Sequence, residues 1–180
     1  MNRLFNHVVL LTLAAATAAV AQDVTYNYDQ SADFSKFKTY RWVELQDADR
    51  PNQLLDQQIR KSIEGQLAQK GLTKATGDSA DLFVGYQVSI TQEKQVNAYN
   101  TGGAGWGYGA RWGGGMSTAT TSTVQIGTLV FDVYDPSAKQ LVWRGQGTKT
   151  LDPSKDPAKN QQKLDKAVAK ILKNFPPKKK

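Results

Sequence analysis

Carboxylates are the side chains of this sequence that could support catalysis, because the chain has no cysteine and a single histidine, His7. We expect His7 to leave with an N-terminal leader, so the mature chain would contain neither residue type. Such a composition strongly disfavours zinc, copper and haem sites of the usual kinds, and nucleophiles activated by histidine. Asp132 and Asp135 lie near the end of a predicted strand, but nothing in their spacing indicates the carboxylate pair of a glycosidase. The sequence predicts no catalytic residue, no metal ligand and no cofactor.

A glycine-rich segment carries the first candidate contact surface. Residues 102–115 include eight glycines among 14 residues, with Trp106, Tyr108 and Trp112 at even spacing. Alternate side chains share one face of an extended chain, so the three rings would lie together. Exposed Trp and Tyr suit a sugar ring, a lipid interface or a protein partner. We expect the segment to be dispensable for folding and needed for contact; rings that lie on their own sheet are the alternative.

A row of lysines carries the second candidate surface. Five lysines follow one another at spacings of four, three, four and three: Lys159, Lys163, Lys166, Lys170 and Lys173. At about 100° per residue they fall within a narrow arc of a helix, nearly opposite the apolar positions of the same segment. Lys163, Lys166 and Lys170 are therefore candidates for docking on an anionic lipid or acidic polysaccharide of the cell envelope. A solvated face without a partner is the alternative.

The positive charge of the chain is concentrated near its C-terminus. The net charge is +7, with a sequence pI near 9.5. Residues 155–180 hold nine lysines against two aspartates, whereas residues 22–154 hold 13 basic against 14 acidic side chains. The main part of the chain is thus slightly acidic, and export would remove the usual nucleic-acid partner. We therefore predict no nucleic-acid binding.

The first 21 residues have the pattern of an export signal. Arg3 precedes an apolar run over residues 8–16, and Ala19 and Ala21 place small residues where a signal peptidase reads them. We expect cleavage after Ala21. The run is too short to span a bilayer, so no transmembrane segment is expected in the mature chain. Without a cysteine to carry a lipid anchor, the sequence predicts a periplasmic or secreted protein.

Hydrophobic periodicity predicts one α+β domain over residues 22–177, followed by a basic tail at residues 178–180. Strict alternation predicts a strand from Leu82 to Ile90, and an apolar residue every fourth position predicts a helix near residues 52–70. Asp156 and Pro157 form a helix start. We expect the order β-β-α-β-β-β-α, a glycine- and aromatic-rich loop over residues 95–123, and a mostly antiparallel sheet with both helices on one face in a two-layer sandwich.

Several stretches of the sequence resemble a known bacterial envelope family, domain of unknown function 4136. The matching residues are Asp33-Phe34, Thr39-Tyr40-Arg41-Trp42, Gly71, Ala80-Asp81-Leu82 with Val84 and Tyr86, Gly127-Thr128-Leu129-Val130 with Asp132, Val142-Trp143-Arg144-Gly145, and Phe175-Pro176. The resemblance implies an exported α+β domain, usually a lipoprotein, and assigns no activity. The chain departs from many relatives in lacking the lipidated cysteine.

Two functional hypotheses remain open at the level of sequence. The first is a non-enzymatic envelope domain that binds or scaffolds an anionic lipid, a polysaccharide or a protein. The alternative is a small-ligand carrier or a carboxylate-based enzyme with a pocket under the glycine- and aromatic-rich loop. Trp143 and Arg144 are either a cross-strand packing pair, which we favour, or part of a ligand pocket.

Overall fold

The computed structural model describes residues 23–45, 51–99 and 118–178. These residues form six strands and two main helices in the order β-β-α-β-β-β-β-α. Their bounds along the chain are β1 Asp23–Tyr28, β2 Thr39–Trp42, α1 Gln53–Gln69, β3 Thr73–Lys74, β4 Leu82–Tyr99, β5 Thr118–Asp135, β6 Gln140–Thr150 and α2 Pro157–Ile171. Short 3-10 helices occupy Phe34–Lys36 and Leu172–Asn174. The predicted α+β class is confirmed.

The six strands form one mixed sheet in the order β1-β6-β5-β4-β2-β3. β2 runs parallel to both β3 and β4, whereas the other neighbouring pairs are antiparallel. The prediction of a mostly antiparallel sheet was therefore wrong, and its element order lacked the short β3. The physical reason is α1, which returns the chain to the end of the sheet where β2 began. β3 and β4, which follow α1 and pair with β2, must then run in the direction of β2.

Both helices bury their apolar stripes in one hydrophobic core. α1 contributes Ile59, Ile63 and Leu67, and α2 contributes Val168 and Ile171. Alternate sheet residues complete this core: Tyr40, Leu82, Val84, Leu129, Phe131, Val133 and Trp143. The helices also contact each other, since the Ser62 hydroxyl donates to the Asp165 carboxylate at 2.5 Å. The opposite face of the sheet carries the intervening residues, Arg144 and Gln146 among them.

The helix boundaries follow from their capping residues. The Asn52 side chain accepts a hydrogen bond from the Leu55 amide, and that of Asp156 accepts from the Ala158 amide, with Pro157 in the first turn. Gly71 adopts φ 82° after the end of α1, a conformation that glycine enters without steric cost. The Leu72 amide then donates to the Leu67 carbonyl at 3.1 Å. The predicted helix start at Asp156 and stop at Gly71 are confirmed.

The hairpin of β4 and β5 is longer than the sequence predicted. The two strands pair without interruption from Phe83 opposite Tyr134 to Tyr99 opposite Thr118. The loop predicted over residues 95–123 was thus wrong at both ends, because residues 95–99 and 118–123 continue the strand ladder. Trp106, Tyr108 and Trp112 lie outside the described residues, as do residues 1–21 and the last two lysines. No helix in the described part of the chain is long and apolar enough to cross a membrane.

Candidate functional site

The outer face of α2 and the 3-10 helix that follows it carry the lysines that the sequence analysis identified. Lys159, Lys163, Lys166, Lys170 and Lys173 are all exposed, and we call this set the lysine ridge. Val168 and Ile171 are buried on the other side of the same helix. The sequence prediction that Lys163, Lys166 and Lys170 project from one face is therefore consistent with the observed burial. The ridge presents several ammonium groups along about four turns of helix.

The entry into α2 fixes the direction of the lysine ridge. The Asn160 side chain donates to the Ser154 carbonyl at 2.8 Å and accepts from the Ser154 amide at 2.7 Å. Lys163 reaches back to Asp152, contacting its backbone carbonyl at 2.5 Å and its carboxylate at 3.3 Å. These contacts hold the first turn of the helix against the preceding chain. One ridge lysine, Lys163, is therefore partly committed to an internal contact.

The carboxylates of the α2 segment do not neutralise the lysine ridge. Asp165 accepts hydrogen bonds from Ser62 and Gln161 at 2.5 and 2.8 Å, which direct it toward α1. Asp156 is the N-cap of its own helix. Like charges at helical spacings of three and four disfavour a helix by a few tenths of a kcal/mol per pair. The lysine ridge is thus a concentrated positive surface that costs the helix stability.

A separate cavity of about 200 Å³ lies near the C-terminal end of α1. Its walls come from the short 3-10 helix before β2, the turn after α1, the start of β4 and the chain after α2. The lining residues are Phe34, Ser35, Phe37, Lys38, Lys70, Gly71, Leu72, Leu82, Phe175 and Pro176. We call this space the aromatic cavity. Local sequence patterns do not predict this cavity, because its walls are up to about 140 residues apart in the chain.

The rings around the aromatic cavity pack edge to face. The Phe34 ring centroid lies 6.0 Å from that of Phe37 and 6.1 Å from that of Phe175, with interplanar angles of 81° and 87°. Phe175 also packs against the buried Trp143, at 5.2 Å between centroids. Such T-shaped pairs are favourable geometries for aromatic rings. The apolar wall of the cavity is therefore continuous with the core.

Two lysines supply the charge of the aromatic cavity. Lys38 is exposed, whereas Lys70 is half-buried, and burial lowers the pKa of the Lys70 ammonium. None of the lining residues is acidic. The Asp81 carboxylate beside Lys38 already accepts hydrogen bonds from the Lys38 and Thr39 amides and from the Thr39 hydroxyl. The cavity thus combines an apolar wall with positive charge.

The two carboxylates that the sequence analysis weighed as catalytic groups, Asp132 and Asp135, make contacts that stabilise the fold. Asp132 is fully buried and receives two hydrogen bonds from the Arg144 guanidinium, at 2.6 and 2.7 Å. The Asp135 side chain accepts from the Ser137 and Ala138 amides, closing the turn before β6, and pairs with Lys36 at 3.2 Å. A substrate could bind these carboxylate oxygens only if one of the contacts just described were broken.

Trp143 and Arg144 lie on opposite faces of the sheet. The Trp143 side chain is fully buried in the helix-facing core, whereas the Arg144 side chain is 48% exposed and pairs with Asp132. They cannot form the wall of a common pocket, and they are not a cross-strand pair with each other.

Trp42, another tryptophan of the sheet, donates a hydrogen bond from its indole nitrogen to Glu64 at 2.7 Å. Burial disfavours the charged form of the Glu64 carboxyl. Hydrogen bonds from Lys74 and Trp42 outweigh this effect, so the pKa of Glu64 is lowered.

The aromatic cavity includes Leu82, the first residue of β4. The pocket expected under the glycine- and aromatic-rich loop stays a prediction, because residues 102–115 lie outside the described residues. Trp106, Tyr108 and Trp112 stay a prediction.

Comparison with known proteins matches the chain to one family. The family model "Domain of unknown function (DUF4136)" covers residues 24–177. No curated protein gives a significant match. A PDZ domain protein from Parabacteroides distasonis is similar in structure, with a TM-score of 0.56 at 15% identity; the match covers 88% of this chain and 37% of that one. A PelC dodecamer from Paraburkholderia phytofirmans has a TM-score of 0.49 at 14% identity, covering 84% and 95% of the two chains.

Proposed function

The chain belongs to the DUF4136 family, and we propose that it is a non-enzymatic, exported envelope domain that docks on an anionic surface through the lysine ridge. The observation that carries this proposal is the arrangement of exposed lysines on one side of α2, with the buried stripe on the other. The domain would act in the periplasm or outside the cell, after removal of residues 1–21. Its partner would be the phosphate head groups of lipids.

Charge distribution supports a docking role for the lysine ridge. Nine of the 23 basic residues fall within residues 155–180, and the remainder of the mature chain is close to neutral. A lysine near an anionic membrane surface contributes about 1 kcal/mol of attraction, which decays within a Debye length. A cluster on one face orients the domain, whereas the same charge spread evenly would not. The lysine ridge thus favours one orientation on an anionic surface.

Co-sedimentation with lipid vesicles tests this proposal. We expect the protein to bind vesicles that contain phosphatidylglycerol at low salt, and to bind pure phosphatidylcholine vesicles much more weakly. The triple variant Lys163→Gln, Lys166→Gln and Lys170→Gln should bind phosphatidylglycerol vesicles on the order of 100-fold more weakly, from about 1 kcal/mol per lysine. Raising the salt well above about 0.1 M should remove most of the difference.

A matched triple variant controls for net charge. Lys61, Lys94 and Lys139 are exposed and are not part of the lysine ridge; they lie on α1, on β4 and in the turn before β6. Changing these three to Gln lowers the net charge by the same amount. We expect the control variant to bind nearly as well as the parent. Equal losses in the two triple variants would contradict a ridge-specific contact and leave only a non-specific effect of charge.

A further inference from the structure

We infer that the aromatic cavity binds a single-chain anionic amphiphile, with its alkyl chain against the phenylalanine wall and its acid group between Lys38 and Lys70. The ligand chemistry is a carboxylate or a phosphate monoester at the end of an unbranched chain. This site lies apart from the lysine ridge, and the inference does not depend on the proposed function. It rests on the size, the lining and the charge of the cavity.

The size of the aromatic cavity fits part of an alkyl chain. A dry cavity of about 150 Å³ in another protein accepts benzene, so a volume of about 200 Å³ accommodates a short apolar group. Phe34, Phe37 and Phe175 line this space, and the Phe34 ring packs edge to face on the other two. Leu72 and Leu82 continue the apolar surface. An alkyl group inserted here would be partly removed from water.

The charge of the aromatic cavity selects an anion. Two lysines line it, no acidic residue does, and the nearby Asp81 carboxylate is held by three hydrogen bonds. Lys70 is partly removed from water without an ion pair to any described residue, which is unfavourable for an ammonium. A ligand acid group would supply the missing partner through charge-assisted hydrogen bonds. A cationic or neutral head group would not.

Isothermal titration calorimetry with decanoate, below the concentration at which it forms micelles, tests this inference on the whole protein. We expect one decanoate per chain, weaker binding of decanol, and no binding of decyltrimethylammonium. The double variant Lys38→Gln and Lys70→Gln should weaken decanoate binding by about tenfold or more, because each lysine contributes a charge-assisted hydrogen bond. Decyl phosphate as a second titrant distinguishes a carboxylate head group from a phosphate head group.

Two further variants separate this site from the rest of the surface. Lys61→Gln with Lys155→Gln removes the same charge from exposed positions and should leave decanoate binding unchanged. The lysine-ridge triple variant should also retain it, so failure of the vesicle experiment and failure of this one are distinguishable. On addition of decanoate, the amide resonances of Gly71 and Leu72 should shift. Absence of decanoate binding, equal binding of decanol, or undiminished binding by the double variant would overturn the inference.

Discussion

At the scale of single residues, Asp81 shows how one carboxylate connects two parts of the chain. It accepts hydrogen bonds from the Lys38 and Thr39 amides, at 2.8 and 2.9 Å, and from the Thr39 hydroxyl. These three hydrogen bonds lower the pKa of the Asp81 carboxyl. Asp81 thereby joins the start of β2 to the residue before β4, two strands that run parallel.

The lowered pKa of Asp81 predicts a pH dependence of stability. A carboxyl whose pKa is lower in the folded state stabilises the fold above its unfolded pKa, and this contribution is lost as the pH falls through the folded pKa. Asp81→Asn should therefore reduce the free energy of unfolding at pH 7 and flatten its decline in acid. Urea unfolding at several pH values measures both effects. An unchanged acid decline in the variant would contradict the role assigned to Asp81.

The sequence predicted some residue-level features and missed others for a physical reason. Asp156 as a helix cap and Gly71 as a left-handed residue depend on neighbours within four positions, so local sequence reveals them. The aromatic cavity depends on Phe34, Lys70 and Phe175 meeting in space. Sequence order alone does not predict that these three residues lie close together; the topology of the chain is needed as well. Local features were therefore predictable, and the cavity was not.

At the scale of elements, a glycine allows α2 to approach the sheet closely. A Cβ atom on Gly145 would clash with the ring of Trp143 and would lie 3.0 Å from the Cγ2 atom of Ile171. The Trp143 ring thus lies over the Gly145 backbone, and Ile171 brings α2 against the same point. Any side chain on Gly145 would have to displace one of these two buried residues.

A pair of glycine substitutions tests this packing of α2 on β6. Gly145→Ala should destabilise the protein by roughly 1–3 kcal/mol, since overpacking displaces well-packed neighbours. Gly65→Ala is the control: Gly65 lies within α1, a Cβ atom there meets nothing within 4 Å, and alanine should stabilise the helix by up to about 1 kcal/mol. Chemical denaturation measures the two changes. Similar effects from both substitutions would contradict the close approach.

Hydrophobic periodicity predicted the position of the main elements but not the direction of the strands. Strict alternation located β4 from its start at Leu82, and four-residue spacing located α1, because each pattern reports which side of an element is buried. Strand direction leaves no such pattern in the sequence. The parallel pairing of β2 with β4 follows from the return of the chain through α1, and β3 has only two residues, too few for alternation to be recognised.

At the scale of the whole molecule, the sheet separates two chemically different sides. One face packs against the helices, beyond which the lysine ridge points to solvent, and the other face carries Arg144 and Gln146. Arg144 is already paired with the buried Asp132, which reduces its attraction for an anion. The lysine ridge therefore gives the helix side a row of exposed positive charge. The account predicts that the protein approaches an anionic surface with that side first.

A fluorophore attached on either side of the molecule tests this orientation most directly. The sequence has no cysteine, so a single introduced cysteine is labelled specifically. Gln162 is exposed on α2 beside the lysine ridge, and Gln146 is exposed on β6 on the opposite face of the sheet. With phosphatidylglycerol vesicles that carry a head-group quencher, the account predicts strong quenching of the label in Gln162→Cys and little in Gln146→Cys. Equal quenching at the two positions, or stronger quenching at position 146, would contradict docking through the lysine ridge.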